Sequence, residues 1–182
     1  MRLPRGNSSL EVLKDLAARP GQAADYYWEN LDPAALNAHP GGHPNSVAWL
    51  IWHAARETDA QIAPLAEVEQ VWTSQGFDRR FDLGDTDLGY EDMGLGQNDS
   101  AARSVRVPET GDGKALLREY FDAVFRMTSE WIGTLGEADL DRVIDESWDP
   151  PVTLGVRVIS AIDDAAQHVG QAAYVAGMPE VP

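Results

Sequence analysis

The segment that most constrains the fold is 47-VAWLIWHAA-55, nine residues with one ionisable side chain, His53. It contains no Gly or Pro and begins behind Asn45 and Ser46, both good helix N-caps, so it reads as a helix. Trp49, Leu50, Ile51 and Trp52 leave that helix apolar nearly all round, which makes it the most buried helix of the fold and demands neighbours on every side. An imidazole in this setting must be hydrogen-bonded or metal-bound, because an unpaired buried polar group costs ~1–3 kcal/mol. Arg56, Glu57, Asp59 and Gln61 make the later half amphipathic, and Pro64 ends or kinks the helix near Ala66.

The neighbours are legible as three further helical patterns. From about Ser9, Leu10, Leu13, Leu16 and Ala17 recur at helical spacing, and after Pro20-Gly21 the pattern resumes with Ala23, Ala24, Tyr27, Trp28 and Leu31. Pro-Gly is a strong break signal although Pro is tolerated in a first turn, so the segment reads as one kinked helix or, in preference, two short pieces packing as one bundle element. A clean stripe of Leu117, Tyr120, Val124, Met127, Trp131 and Leu135 predicts a helix over 114–135, stopped by Gly136. Thr153 caps a last helix, 154–176, with Val158, Ile162, Ala165, Val169, Ala172 and Ala176 inward and Gly177 after it. No segment reads as a convincing strand. These patterns predict an all-α four-helix bundle with one long crossover between its second and third helices. Residues 1–8 read as a polar tail and 9–182 as a single domain.

The crossover, Glu67 to Asp112, holds eleven of the thirty acids and six glycines. A connection of that length is functional or partly disordered, and short turns around Val68–Trp72 and Ser100–Val105 fit its pattern. Asp85-x-Asp87-x-Gly89 resembles the start of a calcium loop but lacks the acid at its twelfth position. Gly94-x-Gly96 lacks the third glycine of a dinucleotide loop.

A net charge of −16 argues against nucleic acid and anionic lipid as partners. The absence of cysteine excludes a thiol nucleophile and leaves His and carboxylate as transition-metal ligands. No apolar run is long enough to cross a membrane and the N-terminus lacks a signal-like apolar core, so a cytoplasmic protein is expected. A homodimer is the base-rate expectation.

Far from His53 in sequence, Asp164 and His168 stand four apart and share one side of the last helix. On a helical wheel they lie on the flank of its apolar arc, beside Ala161, Gln171, Val175 and Arg157. Two readings follow: solvated polar residues, or, facing His53 across a neighbouring helix, a three-ligand metal site with open positions. His39 and His43, in the Pro/Gly-rich connection 32–46, read as solvated loop residues. Trp49, Trp72 and Trp148 are candidates to line a pocket. Trp28, Trp52 and Trp131 read as core.

The order of elements, the phrase HPNSVAWLIWH (43–53) and the ending DDAAQHVGQAAYV (163–175) together resemble the DinB-like superfamily of metal-binding four-helix bundles. That family includes mycothiol- and bacillithiol-dependent transferases and mycothiol-dependent maleylpyruvate isomerases. The similarity runs from about Ser9 to Gly177 and is weakest across Glu67–Asp112. It implies His53, Asp164 and His168 as ligands, the last matching a family histidine followed by x-Gly-Gln. The commonest family pattern has histidine at the Asp164 position and the isomerase branch glutamate; aspartate is one methylene shorter and must come from a closer backbone. Glu57, Asp163 and Gln171 are candidates to orient an imidazole through its other nitrogen. The resemblance implies a divalent metal, zinc first, with nickel, iron or manganese served by the same donors. It also implies a low-molecular-weight thiol as cosubstrate, which a cysteine-free chain cannot supply, and a small-molecule electrophile. Two rivals use the same fold: a non-catalytic bundle that binds a ligand or partner, and a metal-dependent hydrolase.

Overall fold

The computed structural model describes residues 8–178; of the predicted tail, 1–8, all but Ser8 lies outside them. Ser8 itself is the N-cap of the first helix, α1 (Ser9–Trp28), in a reciprocal capping box with Glu11. The expected break at Pro20-Gly21 does not occur. α1 runs through Pro20, which is buried in the interior. Proline forfeits one i→i−4 hydrogen bond, and packing of the flanking turns keeps the helix continuous through that loss.

Ser46 accepts from Trp49 N and opens α2 (Val47–Ile62), which stops two residues short of Pro64. Residues 47–55 are all buried, as the apolar run predicts. Arg56 and Asp59 are buried too, against the expectation of an amphipathic second half. The crossover covers that side of the helix.

The crossover is built from three short helices, α3 (Val71–Ser74), α4 (Phe77–Arg80) and α5 (Asp99–Ser104). α3 and α5 fall near the expected turns, whereas α4 carries too few residues for a periodic signal. Asp59 accepts from the backbone N of Val71 (2.9 Å) and Trp72 (2.8 Å) and from the Tyr120 hydroxyl (3.0 Å). It thereby ties α3 to α2 and to the next long helix, α6 (Gly111–Ile132). Trp72, Phe77, Phe81 and Tyr120 form one buried aromatic group. Further along, Glu91 (φ +49) and Asp92 (φ +55) are in the left-handed region, a conformation costing non-glycine residues ~1–2 kcal/mol each.

α6 ends at Ile132 with Gly133 as cap, one turn before the expected stop at Gly136. Beyond it, a ribbon too short for a sequence signal pairs β1 (Val143–Asp145) with β2 (Val152–Thr153), antiparallel. α7 (Leu154–Ala176) follows, capped by Thr153 and ended at Gly177 as predicted. The protein is mostly helical. α2 packs chiefly on α7 and also on α6, and α1 packs on α7 and α6. Ala161, Ala165 and Ala172, fully buried, let α7 approach its neighbours closely.

Candidate metal centre

Three side-chain pairs record how α2 meets α7. The His53 and His168 rings lie 4.6 Å apart, the Glu57 carboxyl lies against that of Asp164, and Arg157 Nη1 donates to Gln61 Oε1 at 3.1 Å. As α2 is climbed from 53 to 61 the partners descend α7 from 168 to 157, so the helices are antiparallel with their turns in step. Residues four apart share a helix face, so His53/Glu57 and Asp164/His168 become two facing pairs. One ligand-capable atom from each of the four lies within 4.8 Å of the other three.

Each imidazole is oriented through its Nδ1. His168 Nδ1–H donates to Gln171 Oε1 at 2.9 Å, which turns Nε2 toward Asp164 Oδ2, 3.2 Å away. His53 Nδ1–H donates to the Met93 carbonyl, leaving its Nε2 lone pair for the cluster. Its ring stacks on Trp49 at 4.5 Å, and Gln97 fixes Trp49 by accepting from its indole N–H at 2.7 Å. Gly94 makes this approach feasible: a Cβ there would come within 3.0 Å of His53 Nδ1 and of Trp52, and its φ is +93. Arg56, one turn beyond His53 on α2, donates to the Asp92 carbonyl (2.9 Å) and the Glu91 carbonyl (3.2 Å).

Burial pushes the Glu57 carboxyl up to about 8, reinforced by the Asp164 carboxylate beside it. Burial resists ionisation of Asp164 as well, but the proximity of the His168 and Glu57 side chains and of the His53 imidazole outweighs it, so that carboxyl sits well below its usual range. Burial lowers His53. Burial also opposes charge on His168, where contact with Asp164 prevails and raises it. Asp164 Oδ2 is buried with no hydrogen-bond partner in the structure. It faces an imidazole nitrogen whose tautomer, set by Gln171, presents a lone pair, so a proton or a cation must lie between the two acceptors. Two imidazoles and two carboxyls converging on such an atom fit a divalent ion.

The cluster lies in the wall of a cleft of about 700 Å³, lined also by Gln61, Tyr90, Glu91, Met93, Leu95, Trp148 and Arg157. His53, Asp164 and His168 are brought together. Glu57, expected behind the ligands, stands among them. Gln171 lies in hydrogen-bond contact with the His168 imidazole. Asp163 does not: it is exposed and accepts from Gln167 at 2.9 Å, because adjacent helix positions diverge by about 100°. Trp148 is 65% exposed at the cleft rim and Trp49 backs His53. Trp72, a candidate pocket residue, is instead 5% exposed in the core beneath the Arg56 guanidinium, drawn inward by the capping of α3 on Asp59. His39 and His43 bond locally within their loop. Sequence reasoning missed the Met93 carbonyl, Gly94 and Arg56. The first carries no side-chain signal, and Arg56 was legible only as a charge three residues past His53.

No curated protein matches the chain. A solved structure described as the crystal structure of the conserved protein of locus from Enterococcus faecalis is similar, at 32% identity over 94% of this chain and 96% of that one, with a TM-score of 0.82. A model of the DinB superfamily matches residues 17–172, a span that holds all four clustered residues, the whole of α2 and most of α7. The chain belongs to the DinB superfamily.

Proposed function

We propose that the protein is a cytoplasmic, divalent-metal-dependent transferase that activates a low-molecular-weight thiol, such as mycothiol, toward an electrophilic small molecule. Its scaffold is the four-helix bundle α1, α2, α6 and α7 with a single long crossover between α2 and α6. The observation that carries the reading is the convergence of His53, Glu57, Asp164 and His168 on one point of a cleft large enough for a small molecule.

A divalent cation held there supplies positive charge that lowers the pKa of a thiol or water brought to it. Zinc is the first choice, and nickel, iron and manganese accept the same donors. The chain's own residues do the rest. Met93 and Gln171 hold the two imidazoles with Nε2 inward. Asp164 contributes the fixed negative charge. Glu57, whose carboxyl burial raises to about 8 without the cation, ionises as the cation binds and, where it is left unligated, is placed to take the proton of the thiol. Met93 and Leu95 from the crossover and Trp148 present apolar surface to the substrate and shield that side from water. The thiol comes from a cosubstrate because the chain has no cysteine.

The test is thiol-dependent consumption of an epoxide or aryl halide by zinc-loaded protein. Turnover is expected to fall at least 100-fold in His53→Ala and His168→Ala with helicity retained. No thiol-dependent turnover with any electrophile class would sink the reading. Glu57 also suits it to act as a general base toward water, which favours hydrolysis as the second reading; turnover without thiol would select it. The proposal includes a homodimer in solution, measurable by light scattering.

A further inference from the structure

The turn at 91–93 presents three consecutive backbone carbonyls to α2, and α2 answers all three with two side chains one turn apart. Arg56 Nη2 donates to Glu91 O at 3.2 Å and Nε to Asp92 O at 2.9 Å, and His53 Nδ1 donates to Met93 O. The turn adopts this shape only because Glu91 and Asp92 are both left-handed, at φ +49 and +55, a conformation that L residues avoid. Something must hold it. Arg56 is 1% exposed and is itself locked on every side. It donates to Gln70 Oε1 at 3.0 Å and to the Tyr120 hydroxyl at 3.3 Å, pairs with Asp59 at 3.5 Å, and lies 5.1 Å over the Trp72 ring. A planar guanidinium with five donors in a rigid fork can meet two successive carbonyls while keeping these partners; an ammonium cannot.

We infer that Arg56 is a positioning residue of the metal centre: by clamping the strained 91–93 turn it fixes the tautomer and orientation of His53 and sets the crossover wall of the cleft. The same turn carries Tyr90, Glu91, Met93 and Leu95 into the cleft lining, so one clamp sets a ligand and a substrate wall together. By linkage, whatever engages His53 Nε2 in that tautomer also stabilises the turn, and ordering the turn strengthens that engagement equally. The inference rests on the proposed use of His53 as a ligand, but its primary readout does not.

The experiment compares wild type, Arg56→Lys, Gly94→Ala and the double variant Arg56→Lys/Asp92→Gly. First, ¹⁵N chemical shifts of the His53 ring are recorded on the metal-free chain. Wild type should show Nδ1–H with bare Nε2, and Arg56→Lys a mixture of tautomers. Second, zinc binding by calorimetry should weaken about 10–100-fold in Arg56→Lys, the range for partners that orient a ligand. Third, hydrogen exchange over residues 86–97 should slow on adding zinc in wild type and less so in the variant. Glycine at 92 removes the backbone strain, so the double variant should recover part of the zinc affinity. A residue that merely stabilised the fold would not be rescued at that position. Gly94→Ala leaves the Arg56 network in place but pushes the turn off His53, so it should lose affinity alike and decides the matter if Arg56→Lys does not fold. An unchanged His53 tautomer in folded Arg56→Lys, or in Gly94→Ala, would overturn the inference. An unchanged tautomer pattern is separate from failure of the thiol-transfer reading, which turnover alone decides.

Discussion

At the scale of single residues, the least ordinary group is Glu57. Its carboxyl stands at about 8 in the fold against 4.5 ordinarily, first through burial and then through the neighbouring Asp164 carboxylate. Between those values the folded chain keeps a proton that the unfolded chain has released, so metal-free stability falls as pH rises from about 5 to 8. Asp164, shifted the other way, adds stability above its ordinary range and loses it as pH falls below. Glu57→Gln should therefore flatten the decline and melt several degrees above wild type near pH 8; parallel melting curves from about pH 5.5 to 8 would refute this. Metal binding must displace the Glu57 proton, so zinc affinity should rise over the same interval. Gln171→Ala should weaken zinc about 10–100-fold by releasing the His168 ring, while Asp163→Ala, whose side chain turns away, should leave titrations unchanged. The two imidazoles were visible in the sequence as lone histidines on helical patterns. The rank of Glu57 among the donors was not, since being four residues from His53 says nothing of what stands opposite.

Helices rather than residues decide how closely the two pairs face each other. The α2–α7 contact depends on small residues, and Ala165 lies beside Asp164 with no exposure. Ala165→Leu inserts three carbons into a filled interface and should cost about 1–3 kcal/mol by denaturant unfolding, with zinc affinity lowered in step as the helices part. Equal affinity in a destabilised variant would show that the donors tolerate that shift. α1 offers the opposite case. Replacing Pro20 by Ala restores an amide donor in mid-helix, and melting should rise by a few degrees if the recovered hydrogen bond exceeds the lost ring contacts. The last helix was readable to the residue because Thr153, an unbroken stripe and Gly177 agree. The break expected at Pro20-Gly21 failed because local propensity was outweighed by burial on both sides of it.

For the molecule as a whole, a net charge of −16 works against compaction through self-repulsion. Stability near neutral pH should therefore rise as sodium chloride goes from about 10 to 150 mM, over which the Debye length shrinks from ~30 to ~8 Å. A flat or falling profile, read from denaturant midpoints, would mean that local ion pairs dominate. None of the described helices is long and apolar enough to cross a membrane. By itself the sequence determined three of the four long helices, the burial of 47–55 and the residue types of the centre, because periodicity and caps act over one or two turns. Only the tertiary structure decided that Arg56 and Asp59 lie inside, that the Met93 carbonyl completes His53, and that Glu57 meets Asp164. Those facts depend on pairing residues 12 to more than 100 positions apart, through backbone groups and helix register that no local pattern encodes.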